Sequence, residues 1–174
     1  MIEFKILKKS KKSRARIGML QTKHGVVETP CLVPVATQAV VKTLTSEEAK
    51  ETKSQILICN TLHLHLKPGE DLVRKAGGLH QFMNWSGPLM TDSGGFQVFS
   101  FGFGRDYGIG KILKNGQPAK ISLRKIEAGQ QPKLLKITPE GVFFRSFFDG
   151  QKLFLGPKES IKIQEKLGAD IIFA

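Results

Sequence analysis

The sequence predicts an α/β chain: the first half of a TIM-type (β/α)8 barrel, with an N-terminal antiparallel strand region in front and a β-hairpin segment inserted. Three observations carry this. Strand-like and helix-like patterns alternate along most of the chain, the order of parallel β/α units. Four short, nearly continuous apolar runs read as barrel strands, against eight in a closed barrel of about 250 residues. The length of 174 residues, with 40% apolar and 24% charged side chains, suits one domain with a packed core.

Residues 1–30 form the strand region: Glu3 to Leu7, Arg14 to Leu20 and His24 to Val27 each alternate polar and apolar side chains, the signal of antiparallel strands. Residues 31–100 hold the first β/α units. Cys31 to Val35 is the first barrel strand candidate, although Pro34 interrupts it. Thr45-Ser46-Glu47-Glu48 is a capping box that opens a helix to about Lys53. Gln55 to Asn60 reads as a buried strand, Pro68 as a first helical position, and Gly77-Gly78 as a helix end after Ala76. Pro88 to Thr91 is the third strand candidate. Residues 101–155 interrupt the alternation with hairpin signals, a turn at Thr138-Pro139-Glu140-Gly141 and a tight turn at Asp149-Gly150 between aromatic-rich runs. Residues 156–174 return to the pattern, with an amphipathic helix from Pro157 showing Ile161, Gln164 and Leu167, a stop at Gly168, and a buried strand Ala169 to Ala174. The final apolar strand leaves an open edge, so the sequence reads as the first part of something longer.

Lysine and arginine exceed aspartate and glutamate by 27 − 15 = +12. The excess is local: residues 1–23 carry eight basic and one acidic side chain, and residues 105–136 carry eight and two. Two basic patches on a neutral remainder fit a polyanion partner, and equally fit two solvated lysine-rich surfaces. No apolar run approaches a membrane span, and MIEFKILKKSKK lacks a secretory pattern, so a cytoplasmic, membrane-free protein is expected. Cys31 and Cys59 have no CxxC spacing and read as buried free thiols, with a disulfide as the other reading.

The densest polar constellation is MTDSGGFQVFS, residues 90–100. Asp92 stands at the end of a strand, where parallel barrels place their active sites. Ser93, Gly94 and Gly95 follow as a turn of backbone amides, and Phe96 supplies a ring. A carboxylate so flanked can hold a planar base and move its protons; the same four residues also make an ordinary turn. His63 and His65, read on a strand, share one face as half a metal site, but no further ligands with suitable spacing are visible. The glycines of FGFGRDYGIG miss the dinucleotide spacing. The twelve phenylalanines read mostly as core.

On these residues the sequence resembles the tRNA-guanine transglycosylases, the queuine tRNA-ribosyltransferases, and the bacterial branch most closely. The similarity runs from about Arg14 to Ala174 outside an insertion at 102–133, through VETPCLVPVATQAVVKTLT, ILICNTLHLHLKPG, FMNWSGPLMTDSGGFQVFS and GVFFRSFFDGQKLFLGPKESIKIQEKLGADIIFA. The resemblance implies the N-terminal part of a β/α barrel transferase that exchanges the wobble guanine of certain tRNAs for a 7-deazaguanine, in queuosine biosynthesis, by double displacement. It implies that Asp92 is the acid/base residue, that Ser93, Gly94 and Gly95 bind the base, that Phe96 stacks on it and that Asn60 supports the site. It places the base-recognising aspartate, the nucleophilic aspartate and the cysteine/histidine zinc ligands beyond Ala174, so that this chain alone is expected to hold no metal and to be inactive. A homodimer is expected of the full-length protein, with the missing C-terminal portion as a partner in trans. Leu62 and Ala36 depart from the tyrosine and glycine usual there. Two other readings are a non-catalytic tRNA-binding or partner subunit on the same fold, and a metal-dependent barrel hydrolase using His63 and His65.

Overall fold

The computed structural model describes residues 2–98, 100, 135–146 and 148–174. They fall into two compact units, Met1–Ser93 with Ser160–Ala174, and Gly94–Glu159. The glycine run from Gly102 to Gly110 and nearly all of the second basic segment lie outside the described residues.

The first unit begins as expected. Strands β1 (Glu3–Lys9), β2 (Arg16–Thr22) and β3 (Gly25–Thr29) pair antiparallel in that order. The β2–β3 connection is tight, with Thr22 opposite Gly25. Gly25 takes φ +139° there, a value that L side chains avoid, and its carbonyl accepts the Thr22 hydroxyl at 3.0 Å. Val27 on β3 is buried, whereas every residue of β1 is exposed.

Strands β4 (Leu57–Cys59), β5 (Leu89–Thr91) and β9 (Ile171–Ile172) form a parallel sheet in the order β4-β5-β9. Cys31 to Val35, expected as a strand, contributes one parallel bridge, Val35 to Ile58. Pro34 accounts for part of this: it has no N–H to give a ladder, and only its carbonyl joins, accepting Ile58 N–H at 3.0 Å. The parallel segments thus lie side by side in chain order.

Short helices connect them. Helix α1 (Ser46–Glu51) starts on the expected capping box, with Glu48 N–H donating to Thr45 Oγ1 and Thr45 N–H to the Glu48 carboxylate. It stops two residues before Lys53. Helix α2 (Thr61–Leu66) covers TLHLHL, so His63 and His65 lie on a helix and not on the strand expected from the alternation. Helix α3 (Glu70–Lys75) is capped by Gly69, so Pro68 lies ahead of the cap rather than at the first helical position. Its end is as read: Gly78 N–H reaches the Val73 carbonyl and Gly77 N–H the Arg74 carbonyl, both glycines at positive φ. Helix α4 (Leu79–Phe82) follows at once. Leu57, Leu62, Leu64, Val73, Leu79, Leu89 and Leu167 fill the core between sheet and helices, and Trp85, also buried, donates Nε1–H to the Pro88 carbonyl.

In the second unit β6 (Leu135–Thr138), β7 (Gly141–Arg145) and β8 (Lys152–Leu155) form an antiparallel sheet in sequence order. Pro139-Glu140 makes the expected turn, closed by the Thr138–Gly141 pair. The β7–β8 connection is wider than a two-residue turn: its closing bond runs from Ser146 N–H to the Gln151 carbonyl. Phe143 and Phe154 face each other across β7 and β8, ring centroids 4.7 Å apart. Helix α5 (Pro157–Leu167) then runs into the first unit. Its buried residues are Ser160, Ile163, Gln164 and Leu167; Ile161, expected on that face, is half-buried. The last segment is less buried than expected, with Ile172 and Phe173 exposed. Nor are the phenylalanines mainly core: among the described residues only Phe144 is buried, while Phe4, Phe82, Phe96, Phe148 and Phe173 are exposed.

Candidate active site

Parallel register decides what meets what. Cys59 and Thr91 are partners at the carboxyl ends of β4 and β5. The next residue on each strand, Asn60 and Asp92, therefore emerges side by side. Asn60 Nδ2–H donates to Asp92 Oδ2 at 2.6 Å, and Thr61 N–H donates to Oδ1 at 2.9 Å. Thr61 opens α2, so its N–H has no partner within the helix, and a carboxylate is a favourable acceptor at that end. The Thr61 hydroxyl closes the arrangement on the Asp92 main-chain carbonyl. Asp92 N–H, in turn, donates to the Cys59 carbonyl at 3.3 Å. Asp92 is thereby held by neutral donors, two of them on its carboxylate, in a half-buried position at the strand ends.

A second set of bonds holds the chain on either side. Gln164 is fully buried and its amide is completely engaged. Oε1 accepts the Thr91 hydroxyl at 2.9 Å and Phe173 N–H at 3.0 Å; Nε2 donates to the Phe173 carbonyl at 2.7 Å and to Ser160 Oγ at 3.1 Å. Ser160 Oγ–H in turn donates to the Ser93 carbonyl at 2.7 Å.

Gly94, Gly95 and Phe96 open the second unit. Gly94 takes φ +77°, residues 95–98 form a helical turn with Val98 N–H on the Gly94 carbonyl, and Phe96 is 69% exposed. Of the expected site residues, Asp92, Asn60 and Ser93 thus come together with Thr61, which the sequence reading did not single out.

His63 and His65 are a correction. On a helix, positions two apart are separated by about 200°, so they share no face. His65 Nδ1–H donates instead to Glu70 at 2.7 Å. Burial holds His63 below its ordinary value of 6.5, with Asp92 pulling it up and Lys42 down.

The cysteines are free, Cys31 half-buried and Cys59 buried. Burial pushes the Cys59 thiol up to about 12, with Asp92 adding to the rise and the Ala39 backbone opposing it. That thiol is a poor source of thiolate for a metal. Among the described residues the one close cluster of potential ligands is His24, His80 and Asp170, which contains no cysteine. It lies at the opposite end of the sheet from Asp92. His24 donates to Asp170 Oδ1 at 2.7 Å, His80 Nε2–H to Oδ2 at 3.2 Å and Leu89 N–H to Oδ2 at 3.0 Å. The two imidazoles are stacked, centroids 3.7 Å apart and planes inclined by 27°. A cysteine/histidine zinc set therefore does not fit the described residues.

The fold is thus that of a β/α protein with a carboxylate set among amide donors at the carboxyl ends of its parallel strands, the end where parallel β/α folds place their sites. The family model for queuine tRNA-ribosyltransferase matches residues 10–174, and the chain belongs to that family. It is similar to queuine tRNA-ribosyltransferases of Desulforamulus reducens (49% identity over 99% of this chain), Natranaerobius thermophilus (46% over 98%) and Acetivibrio thermocellus (46% over 99%). The matches cover 38–39% of those relatives, so the chain spans about two-fifths of their length. No helix among the described residues is long and apolar enough to cross a membrane.

Proposed function

We propose that this chain is the N-terminal part of a transferase that exchanges the wobble guanine of tRNA for a 7-deazaguanine, and that Asp92 is its acid/base residue. The observation that carries the reading is the family match over residues 10–174, which includes Asp92 between its Asn60 and Thr61 donors. The parallel segments in chain order are read as the first half of a (β/α)8 barrel. In the exchange, the glycosidic bond to guanine breaks as a carboxylate nucleophile bonds the anomeric carbon. Asp92 gives a proton to the departing base and takes one from the incoming base, and the incoming base then displaces the enzyme. Asn60 and Thr61 hold both carboxylate oxygens by neutral donors, which fixes orientation without adding charge. Ser93, Gly94 and Gly95 are assigned to the base and Phe96 to stacking on it.

The nucleophile, the base-recognising aspartate and the zinc ligands are assigned to sequence beyond Ala174, and no step here runs through zinc. The partners are tRNA, whose phosphates suit the exposed lysines of β1, and the guanine or 7-deazaguanine base. A cytoplasmic homodimer is the assembly assigned to the full-length protein.

The test is incorporation of labelled guanine into tRNA. The 174-residue chain alone should give none, and supplying the remaining length of the relatives, fused or in trans, should restore it. Incorporation by the 174-residue chain alone, abolished by Asp92→Asn, would show that the nucleophile is misassigned.

A further inference from the structure

Asp92 lies between Thr91 and Ser93, and both neighbours are bonded from the same helix, one through its hydroxyl and one through its carbonyl. On one side the Thr91 hydroxyl is held by Gln164. On the other the Ser93 carbonyl is held by Ser160, one helical turn before Gln164 and bonded to it. We propose that Gln164 and Ser160 are positioning residues for Asp92, a clamp from α5 that sets the direction in which its carboxylate leaves the strand.

Three features support a clamp rather than mere filling of space. A buried amide is costly unless all its valences are met, and here Gln164 meets four, so it has a single well-defined orientation. Its partners belong to different segments, the end of β5, the chain after β9 and its own helix, so it fixes these against one another. Finally, Asp92 presents both oxygens to donors on the next strand's exit, Asn60 and Thr61. A small rotation of the Thr91–Ser93 backbone would break both bonds at once, since site geometry is sensitive to shifts below an ångström.

The role as a positioning device rests on the acid/base reading of Asp92, but the geometric claim is tested without activity. The readouts are hydrogen exchange of the Thr61 amide, which donates to Asp92, and the NMR signals of the Asn60 side-chain amide. Gln164→Met keeps the volume and removes the bonds. Thr61 should then exchange at least about tenfold faster relative to Val27 on β3, with the Asn60 signals shifted. Thr91→Val should act in the same direction, and Thr91→Ser, which keeps the hydroxyl, should behave as the unaltered chain. If Gln164→Met does not fold, Ser160→Ala removes two of the clamp's bonds, to the Ser93 carbonyl and from Gln164 Nε2–H, and should give a smaller change of the same sign. Thr61 exchange and Asn60 signals unchanged in a folded Gln164→Met or Ser160→Ala chain would overturn the clamp. That outcome would leave the function of Asp92 standing, because guanine incorporation tests it separately.

Discussion

The two ends of strand β5 each carry a carboxylate, and the two are held in opposite ways. At the carboxyl end Asp92 accepts from a side-chain amide and a backbone N–H. At the amino end Asp170, its side chain 1% exposed, accepts from two imidazoles and from Leu89 N–H. Burial alone would raise the Asp170 carboxyl, but the Leu89 N–H and the two histidines outweigh it and leave it below its usual range. The first carboxylate accepts from a side-chain amide and a backbone N–H of one neighbouring segment; the second accepts from two ionisable rings and a backbone N–H, and so ties three separate segments together. On the role proposed for Asp92, one end serves proton transfer and the other cohesion, the division between strand ends that β/α folds commonly show.

The contrast would collapse if the Asp170 end also met substrate. The antiparallel sheet is joined to that end through His24, and its first strand and loop carry Lys8, Lys9, Lys11 and Lys12, all exposed. If they contact tRNA phosphates, replacing the four by alanine should flatten the log–log salt dependence of tRNA binding by about three, since each contact contributes about 0.7–0.9. An unchanged slope would keep RNA away from this sheet.

Asp170→Asn sharpens the contrast from the other side. It removes the charge that accepts from His24 and His80, and should cost about 1–3 kcal/mol, read as a lower melting temperature of about 2–4 °C per kcal/mol. A melting temperature unaltered within error would show that the cluster binds nothing together.

A smaller effect is expected with pH. Burial, reinforced by the stacked His24 ring, holds His80 below its ordinary value of 6.5 despite the pull of Asp170. The folded state therefore disfavours the proton that the unfolded chain accepts. Stability from this group is present above 6.5 and declines as pH falls below it. Asp170 adds a further loss only below its own usual value of 3.8. Replacing His80 by glutamine should remove the first decline, and a melting temperature that still falls equally between pH 7 and 5.5 would assign it elsewhere.

Much of this frame was legible in the sequence for physical reasons. Alternation gave the antiparallel strands, Thr45 and Glu48 gave a helix start, and Gly77-Gly78 gave a helix stop, because each signal is complete within a few residues. Asp92 at a strand end followed from the short apolar run before it, and Asn60 entered only through the family resemblance. TLHLHL misled because alternation over six residues cannot separate a strand from one and a half helical turns, and the Asp92 carboxylate favours the helix start there. The other misses are long-range. His24 and Asp170 are 146 residues apart, and Gln164 meets Thr91 across 73. No local pattern marks either pair; Gln164 showed only as a polar residue on an otherwise apolar helix face.

The most direct test of the division between the two ends is a paired measurement in a protein of the relatives' full length. Rates of labelled guanine incorporation and melting temperatures would be taken for Asp92→Asn and Asp170→Asn side by side. The account predicts that Asp92→Asn loses about 10²–10⁴ in rate with little change in melting temperature, whereas Asp170→Asn melts lower yet retains most of its rate below the transition. Exchange at the unaltered rate in a folded Asp92→Asn enzyme, or loss of exchange confined to Asp170→Asn, would contradict it.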